Sequence, residues 1–328
     1  MTSVVTGVAR PGTYQDRRGV RILLLRLAPV PELPDITVYV ECLQRRIVGH
    51  TLERIRLVSP FFLRTVVPPW QDTQGREVVA VSRMAKRIVV SLAGDLHLVL
   101  HLMKLGRLRW EPTGKSPGLK LLHASFLFDD GAALHAIEIG PKKRASLHVV
   151  GGTAALEEYR PPGIEPLAAD LPAFAAAVRR ENHTLKRVLT DQRLVSGIGN
   201  AYSDEILHAA RLSPIALSSK LSDDDIERLW HSTRSVLTTW TERLRAETGE
   251  GFPEKVTAFR KGMAAHGRFK EPCPDCGTPI ERIVYADRET NYCARCQTGG
   301  KRLADRALSR LLGGDWPRTL EELEAHRR

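Results

Sequence analysis

Cys273-Pro274-Asp275-Cys276 and, sixteen residues later, Cys293-Ala294-Arg295-Cys296 decide how the C-terminal part of this chain folds. Each two-residue gap brings a pair of thiolates onto one tight knuckle, and two such knuckles close a tetrahedral site for a single Zn2+. Four thiolates leave no coordination position for water, so the expected role of the metal is structural. In so small a module it supplies much of the folding energy, on the order of 10 kcal/mol in isolated fingers. Nothing else in the sequence looks secreted, which argues against reading these cysteines as disulfides. The fifth cysteine, Cys42, falls in a helix-like stretch from Thr37 to Ile47 and is expected to be a small buried hydrophobe.

Working upstream from the ribbon, the apolar spacing is helical. A long helix is predicted from about Asp223 to Ala246 with Ser222 as its cap, preceded by helices over Ala201 to Ala210, Thr184 to Leu189 and Leu171 to Arg180. Between two of these lies Gly197-Ile198-Gly199-Asn200. Its glycines permit a tight turn with exposed backbone N–H groups, and Asn200 opens the next helix, where amide and helix dipole together suit a phosphate. Tyr159-Arg-Pro-Pro-Gly-Ile-Glu-Pro-Leu reads as a proline-rich joint. Before it, from about Leu52 to Val150, short alternating apolar runs separated by Gly, Pro and Asp turns predict an antiparallel sandwich or barrel.

The chain carries 49 Lys+Arg against 38 Asp+Glu, a formal net charge of +11. Residues 1–29 hold five Arg and one Asp, and removing them leaves 44 against 37, so the basic character belongs to the body. That is the electrostatic footprint of a polyanion binder. No apolar run approaches the roughly 20 residues that span a bilayer, and no membrane partner is expected.

At the other end stands Val30-Pro31-Glu32-Leu33-Pro34-Asp35-Ile36, with Asp35 the expected cap of the helix that follows. Within a chain, proline has no nucleophilic nitrogen; at the start of one, its secondary amine can attack a carbonyl carbon and form a Schiff base. Val30 is what a GTG start codon becomes when it is read as internal sequence. If synthesis begins there and the initiator residue is removed, Pro31 becomes residue one.

An N-terminal Pro-Glu-Leu-Pro, a β-sandwich, a Gly-Ile-Gly-Asn turn and a four-cysteine ribbon, in that order, resemble the formamidopyrimidine-DNA glycosylase and endonuclease VIII family of base-excision repair enzymes. The resemblance covers about residues 31 to 298. It implies an α+β fold: an N-terminal antiparallel β-sandwich flanked by helices, a helical helix-two-turn-helix domain and the zinc ribbon. The expected division is 1–30 extension, 31–155 catalytic sandwich, 156–168 linker, 169–262 helix-two-turn-helix domain, 263–298 four-cysteine zinc finger and 299–328 tail. The partner it implies is double-stranded DNA containing damaged bases or abasic sites, met by a monomer in a bacterial cytoplasm at the nucleoid.

Carried over residue by residue, the resemblance makes Pro31 the nucleophile at C1′ and Glu32 the carboxylate that moves protons at the deoxyribose. Lys86, in Arg83-Met-Ala-Lys86, matches the lysine used in elimination and for gripping phosphate. Asn200 matches the phosphate-binding asparagine, and Arg288, in Asp287-Arg-Glu-Thr-Asn-Tyr-Cys293, matches the arginine at the tip of the ribbon's hairpin. His123 lines up with a DNA-contacting histidine, and Lys186 adds basic charge beside the turn. Two wedge loops depart from the pattern. The family's His-Leu-Gly-Met-Ser-Gly appears as His101-Leu-Met103-Lys104-Leu-Gly106, and Asp-Pro-Arg-Arg-Phe-Gly as Gly140-Pro-Lys142-Lys143-Arg144-Ala. Lys104 and Arg144 therefore stand where the family has its methionine and phenylalanine wedges, unless Met103 takes over from the next position, and both are expected to face DNA with Lys143. Because those wedges sense the opposite base, lesion preference is not inherited, and the change leans towards an endonuclease VIII-like preference for oxidised pyrimidines or abasic sites. The alternative from another class is a non-catalytic protein that binds damaged DNA on the same scaffold.

Overall fold

Helix α1 (Leu33–Ile47) starts four residues before the stretch that its apolar spacing marks, because Glu32 is its N-cap and Pro34 suits its first turn. Asp35 is not the cap; from inside the first turn its carboxylate accepts the N–H of Glu32 at 2.9 Å. The computed structural model describes residues 30–113, 118, 120–139, 143–253, 256, 259–285 and 288–303, so the expected N-terminal extension and the tail from 304 lie outside the described residues.

Eight strands follow: β1 (Thr51–Leu57), β2 (Arg76–Met84), β3 (Arg87–Leu92), β4 (Leu96–His101), β5 (Gly106–Glu111), β6 (Leu122–Phe128), β7 (Ala133–Glu138) and β8 (Ser146–Gly151). Their order is β5-β7-β6-β1-β2-β3-β4-β8, antiparallel throughout. The β1–β2 junction pairs only Thr51 with Glu77 and Leu52 with Arg76, so the order divides there into two halves. Both supply one apolar cluster, Ile55, Phe126 and Leu134 from one half and Val78, Val90, Leu98 and Leu147 from the other. That shared core makes the arrangement a sandwich.

Helix α1 joins this core to the next. Its Ile36, Tyr39, Leu43 and Ile47 belong to the sandwich cluster, whereas Leu33, at its first position, belongs to the helical cluster. The helical part comprises α2 (Thr153–Glu157), α3 (Leu171–Arg179), α4 (Leu185–Thr190), α5 (Asn200–Ala209) and α6 (Asp223–Thr248). Ser222 caps α6, its side chain accepting from Asp225 N while the Asp225 carboxylate takes the Ser222 N–H. Strands β9 (Ile280–Tyr285) and β10 (Arg288–Cys293) form the ribbon hairpin, followed by the short α7 (Ala294–Thr298). Cys42 is 1 % exposed in α1, packed with Val38 and Leu244.

Candidate active site and metal centre

Glu32 and Leu33 dock into the turn before α5, and the two glycines of that turn exist to receive them. Glu32 Oε2 accepts the N–H of Gly199 at 2.5 Å and of Tyr202 at 3.3 Å, Oε1 that of Ala201 at 2.9 Å, and Leu33 donates to Gly197 O at 2.9 Å. A Cβ on Gly199 would lie 2.5 Å from the Glu32 carboxyl carbon, and one on Gly197, itself at φ +82°, would lie 2.9 Å from Leu33. The positive end of α5 is thus filled by the chain's own carboxylate, where the sequence had led us to expect an external phosphate. Glu32 is 3 % exposed, and burial pushes its carboxyl above the usual range against the pull of Lys86 and of the Ala201 and Gly199 amides. A buried carboxyl with a raised affinity for its proton suits proton transfer.

Lys86 sits in the two-residue turn left by the Met84–Arg87 pairing of β2 and β3. Its predecessor Ala85 takes φ +53°, a left-handed conformation that Arg83 supports by donating to Ala85 O at 3.1 Å. The same guanidinium pairs with Glu165 of the helical part at 2.7 Å, so the lysine turn is fastened across the two cores. His101, opposite Arg87 in the sheet, is held neutral: burial first, then the charges of Arg87, Lys86 and His148, bring its pKa down to about 4. Pro31 is buried directly beside Glu32 in the chain.

Behind Glu32 lies a buried polar group. Asp35 pairs with Arg260 at 2.8 Å, and Arg107 donates to Val256 O at 3.0 Å. Burial raises the Asp35 carboxyl, with Arg260 pulling against it. A cavity of about 360 Å³ opens here, lined by Asp35, Glu247, Phe252, Val256 and Arg260 among others.

The other expected DNA contacts divide. Lys143 and Arg144 are exposed, in a loop organised by Glu138, whose backbone O accepts from Lys143 Nζ at 2.6 Å and whose carboxylate accepts the N–H of Arg144 and Ala145. Lys104 is half-buried in the β4–β5 connection, and Arg288 opens β10 with only its backbone described. Asn200 opens α5 as expected, but its Nδ2 donates to Glu289 O of the ribbon at 2.8 Å. Two residues turn inward instead of presenting charge to a ligand. Lys186 gives its ammonium to Asp204 at 2.5 Å and to Asn200 O at 2.7 Å, neutralising a carboxylate with no exposure. His123, at 2 % exposure, stacks on Phe62 and pairs with Glu138 at 2.8 Å, and burial lowers its pKa. Unlike the surface contact read from the sequence, its ring lies beneath the Lys143–Arg144 loop.

In the ribbon, the four Sγ atoms of Cys273, Cys276, Cys293 and Cys296 all lie within 4.8 Å of one another, with Cys276 and Cys293 at 3.4 Å and Cys273 and Cys296 at 3.9 Å. None is in a disulfide. Four convergent thiols without another bonding requirement fit one structural zinc. Sequence reasoning passed over Arg83, Glu165, Asp204 and His208. The last two had a signal, since Asn200, Asp204 and His208 recur at four-residue spacing along one face of α5.

Comparison with known proteins gives a consistent result. Three family models match, described as the formamidopyrimidine-DNA glycosylase N-terminal domain over residues 30–139, its H2TH domain over 163–248, and the zinc finger found in FPG and IleRS over 270–299. The formamidopyrimidine-DNA glycosylase of Thermus thermophilus is 31% identical over 279 residues, 83% of this chain and 100% of that protein. An uncharacterised formamidopyrimidine-DNA glycosylase-like protein of Mycobacterium tuberculosis is 41% identical over 163 residues, 50% of this chain and 99% of its own length. Among solved structures, the Lactococcus lactis glycosylase bound to DNA containing an abasic site superposes with TM-score 0.71 at 25% identity, covering 81% of this chain and 99% of that one.

Proposed function

This chain belongs to the formamidopyrimidine-DNA glycosylase family, and from that membership we propose that it removes damaged bases from double-stranded DNA and cuts the strand at the abasic site through an imine on Pro31. One observation carries the reading: Glu32, next to Pro31, is buried with its carboxyl raised and clamped on the N-terminus of α5.

The amine of Pro31 attacks C1′ as the glycosidic bond breaks and the base leaves. Protonated Glu32 gives its proton to the ring oxygen, the bond between that oxygen and C1′ breaks to open the sugar, and the nitrogen, having shed its own proton, forms the double bond to C1′ as an iminium cation. Loss of a C2′ proton, taken by the Glu32 carboxylate that the ring opening left ionised, then expels the 3′ phosphate, whose negative charge the Lys86 ammonium steadies. C1′ is hidden in a stacked duplex, so the nucleotide must first be extruded, and on this reading Lys143, Arg144, Lys104 and Arg288 hold the bent backbone. His123 contributes from beneath the loop. The zinc, when bound, keeps the ribbon folded. The basic side chains at the wedge positions support oxidised pyrimidines or abasic sites as the preferred substrates.

The attacking nitrogen must be free, so this reading requires a chain that begins at Pro31. Borohydride trapping on abasic-site DNA tests this with two preparations, one starting at Met1 and one at Pro31. The expected result is a covalent adduct from the second only. Equal trapping by a chain that keeps its leader would move the nucleophile to another amine. Binding without trapping by either would favour the non-catalytic reading.

A further inference from the structure

One face of α5 is polar and turned towards the ribbon. At four-residue spacing along it, Asn200 donates to Glu289 O, Asp204 pairs with His266 Nδ1 at 2.7 Å, and His208 places Nε2 3.2 Å from Cys273 Sγ. Beside them Glu205 accepts the backbone N–H groups of Ala264, Ala265 and His266. His208 is 3 % exposed and Cys273 also 3 %, so water does not compete for this contact. A zinc-bound thiolate can only accept a hydrogen bond, and the ring nitrogen facing it must therefore carry the proton.

We propose that His208 is a positioning residue of the metal centre, donating from α5 to the Cys273 thiolate and anchoring the zinc ribbon to the helix that opens with Asn200 and receives Glu32 at its N-terminus. An N–H···S bond draws charge off the sulfur and fixes the direction of its lone pairs. Partners of that kind typically change metal affinity 10- to 100-fold. The inference depends on the ribbon's zinc alone and stands whether or not the excision chemistry is as described.

Two substitutions in the full chain separate donation from packing: His208→Phe keeps a ring without an N–H, and His208→Gln keeps a side-chain N–H. Zinc release to an excess of chelator is timed in each. The thiolate-to-cobalt charge-transfer band is recorded after replacing zinc with cobalt. His208→Phe is expected to release zinc on the order of tenfold faster and to shift the band, with His208→Gln returning both towards the parent. A Phe variant that matches the parent in both readouts overturns the proposal. So does a Gln variant that matches Phe, because ring packing and not the donor would then be what matters.

Discussion

The N–H of Gly199 donates to Oε2 of Glu32 at 2.5 Å, joining residues 167 positions apart. The backbone of Gly199, at φ −128°, is open to any residue; what excludes a side chain is the Glu32 carboxyl carbon 2.5 Å from where a Cβ would stand. Gly199→Ala should therefore push the carboxylate off the helix end. We expect a stability loss of about 1–3 kcal/mol from the forced shift and excision slowed on the order of 10²-fold, the lower range for a misplaced proton-transfer group. Thermal unfolding and single-turnover kinetics give the two numbers, and a variant with parental rates would show that Glu32 works without this clamp.

Burial raises the Glu32 carboxyl, so the folded chain keeps this proton at a pH where the unfolded chain has released it. The unfolded state then binds fewer protons, and stability falls as pH rises from the ordinary carboxylate value of 4.5 through the raised one. Glu32→Gln removes that slope. Denaturant unfolding from pH 4.5 to 8 should show the parent losing ground to the variant as pH increases. Asp35 is raised in the same sense and stays in both proteins; its charge also pushes Glu32 up, so the difference reports Glu32 together with that coupling. A gap constant with pH would mean that Glu32 ionises without cost to the fold.

Arg83 bridges Ala85 O and Glu165, and the Lys86 turn hangs on that bridge. Arg83→Ala should free the turn and weaken strand nicking more than DNA binding. In a double-mutant cycle with Glu165→Gln, a coupling of about 0.5–1 kcal/mol is expected for a partly buried pair. Additive effects on nicking would show that the Lys86 turn keeps its place without this ion pair.

What the sequence reveals follows from the range over which each feature acts. The cysteine knuckles and the Ser222 cap of α6 are chemistry confined to a few adjacent residues, and both were readable. Gly197 and Gly199 were readable as a turn but not as a socket, because the side chains that need the space come from the start of the chain. Lys186 read as basic charge beside the turn and His123 as a DNA contact because nothing nearby in sequence announces Asp204 or Glu138 as their partners. The early start of α1 was hidden by Pro34, which reads as a breaker in isolation and as a first-turn residue once Glu32 caps it. Polar pairing between distant segments leaves no periodic trace, and the site is made mostly of such pairs.

The ribbon contributes to the site through α5, which sets the expected consequence of dismantling it. Cys293 is fully buried among the four thiols, and Cys293→Ser removes one of the four charged ligands. Zinc content should fall below one per chain, and the ribbon should unfold, since in isolated fingers metal binding is worth on the order of 10 kcal/mol. The sandwich, whose cluster contains no ribbon residue, should keep its own thermal transition. Asn200 would lose Glu289, Glu205 would lose its three backbone donors, and Arg288 would no longer be presented. Affinity for abasic DNA should drop with them, and its dependence on salt should flatten because fewer phosphates are neutralised. Metal analysis, calorimetry and a salt titration of DNA binding check each step. A zinc-free variant with undiminished affinity would place the DNA grip in the sandwich and the helical domain, leaving Arg288 without the role assigned to it.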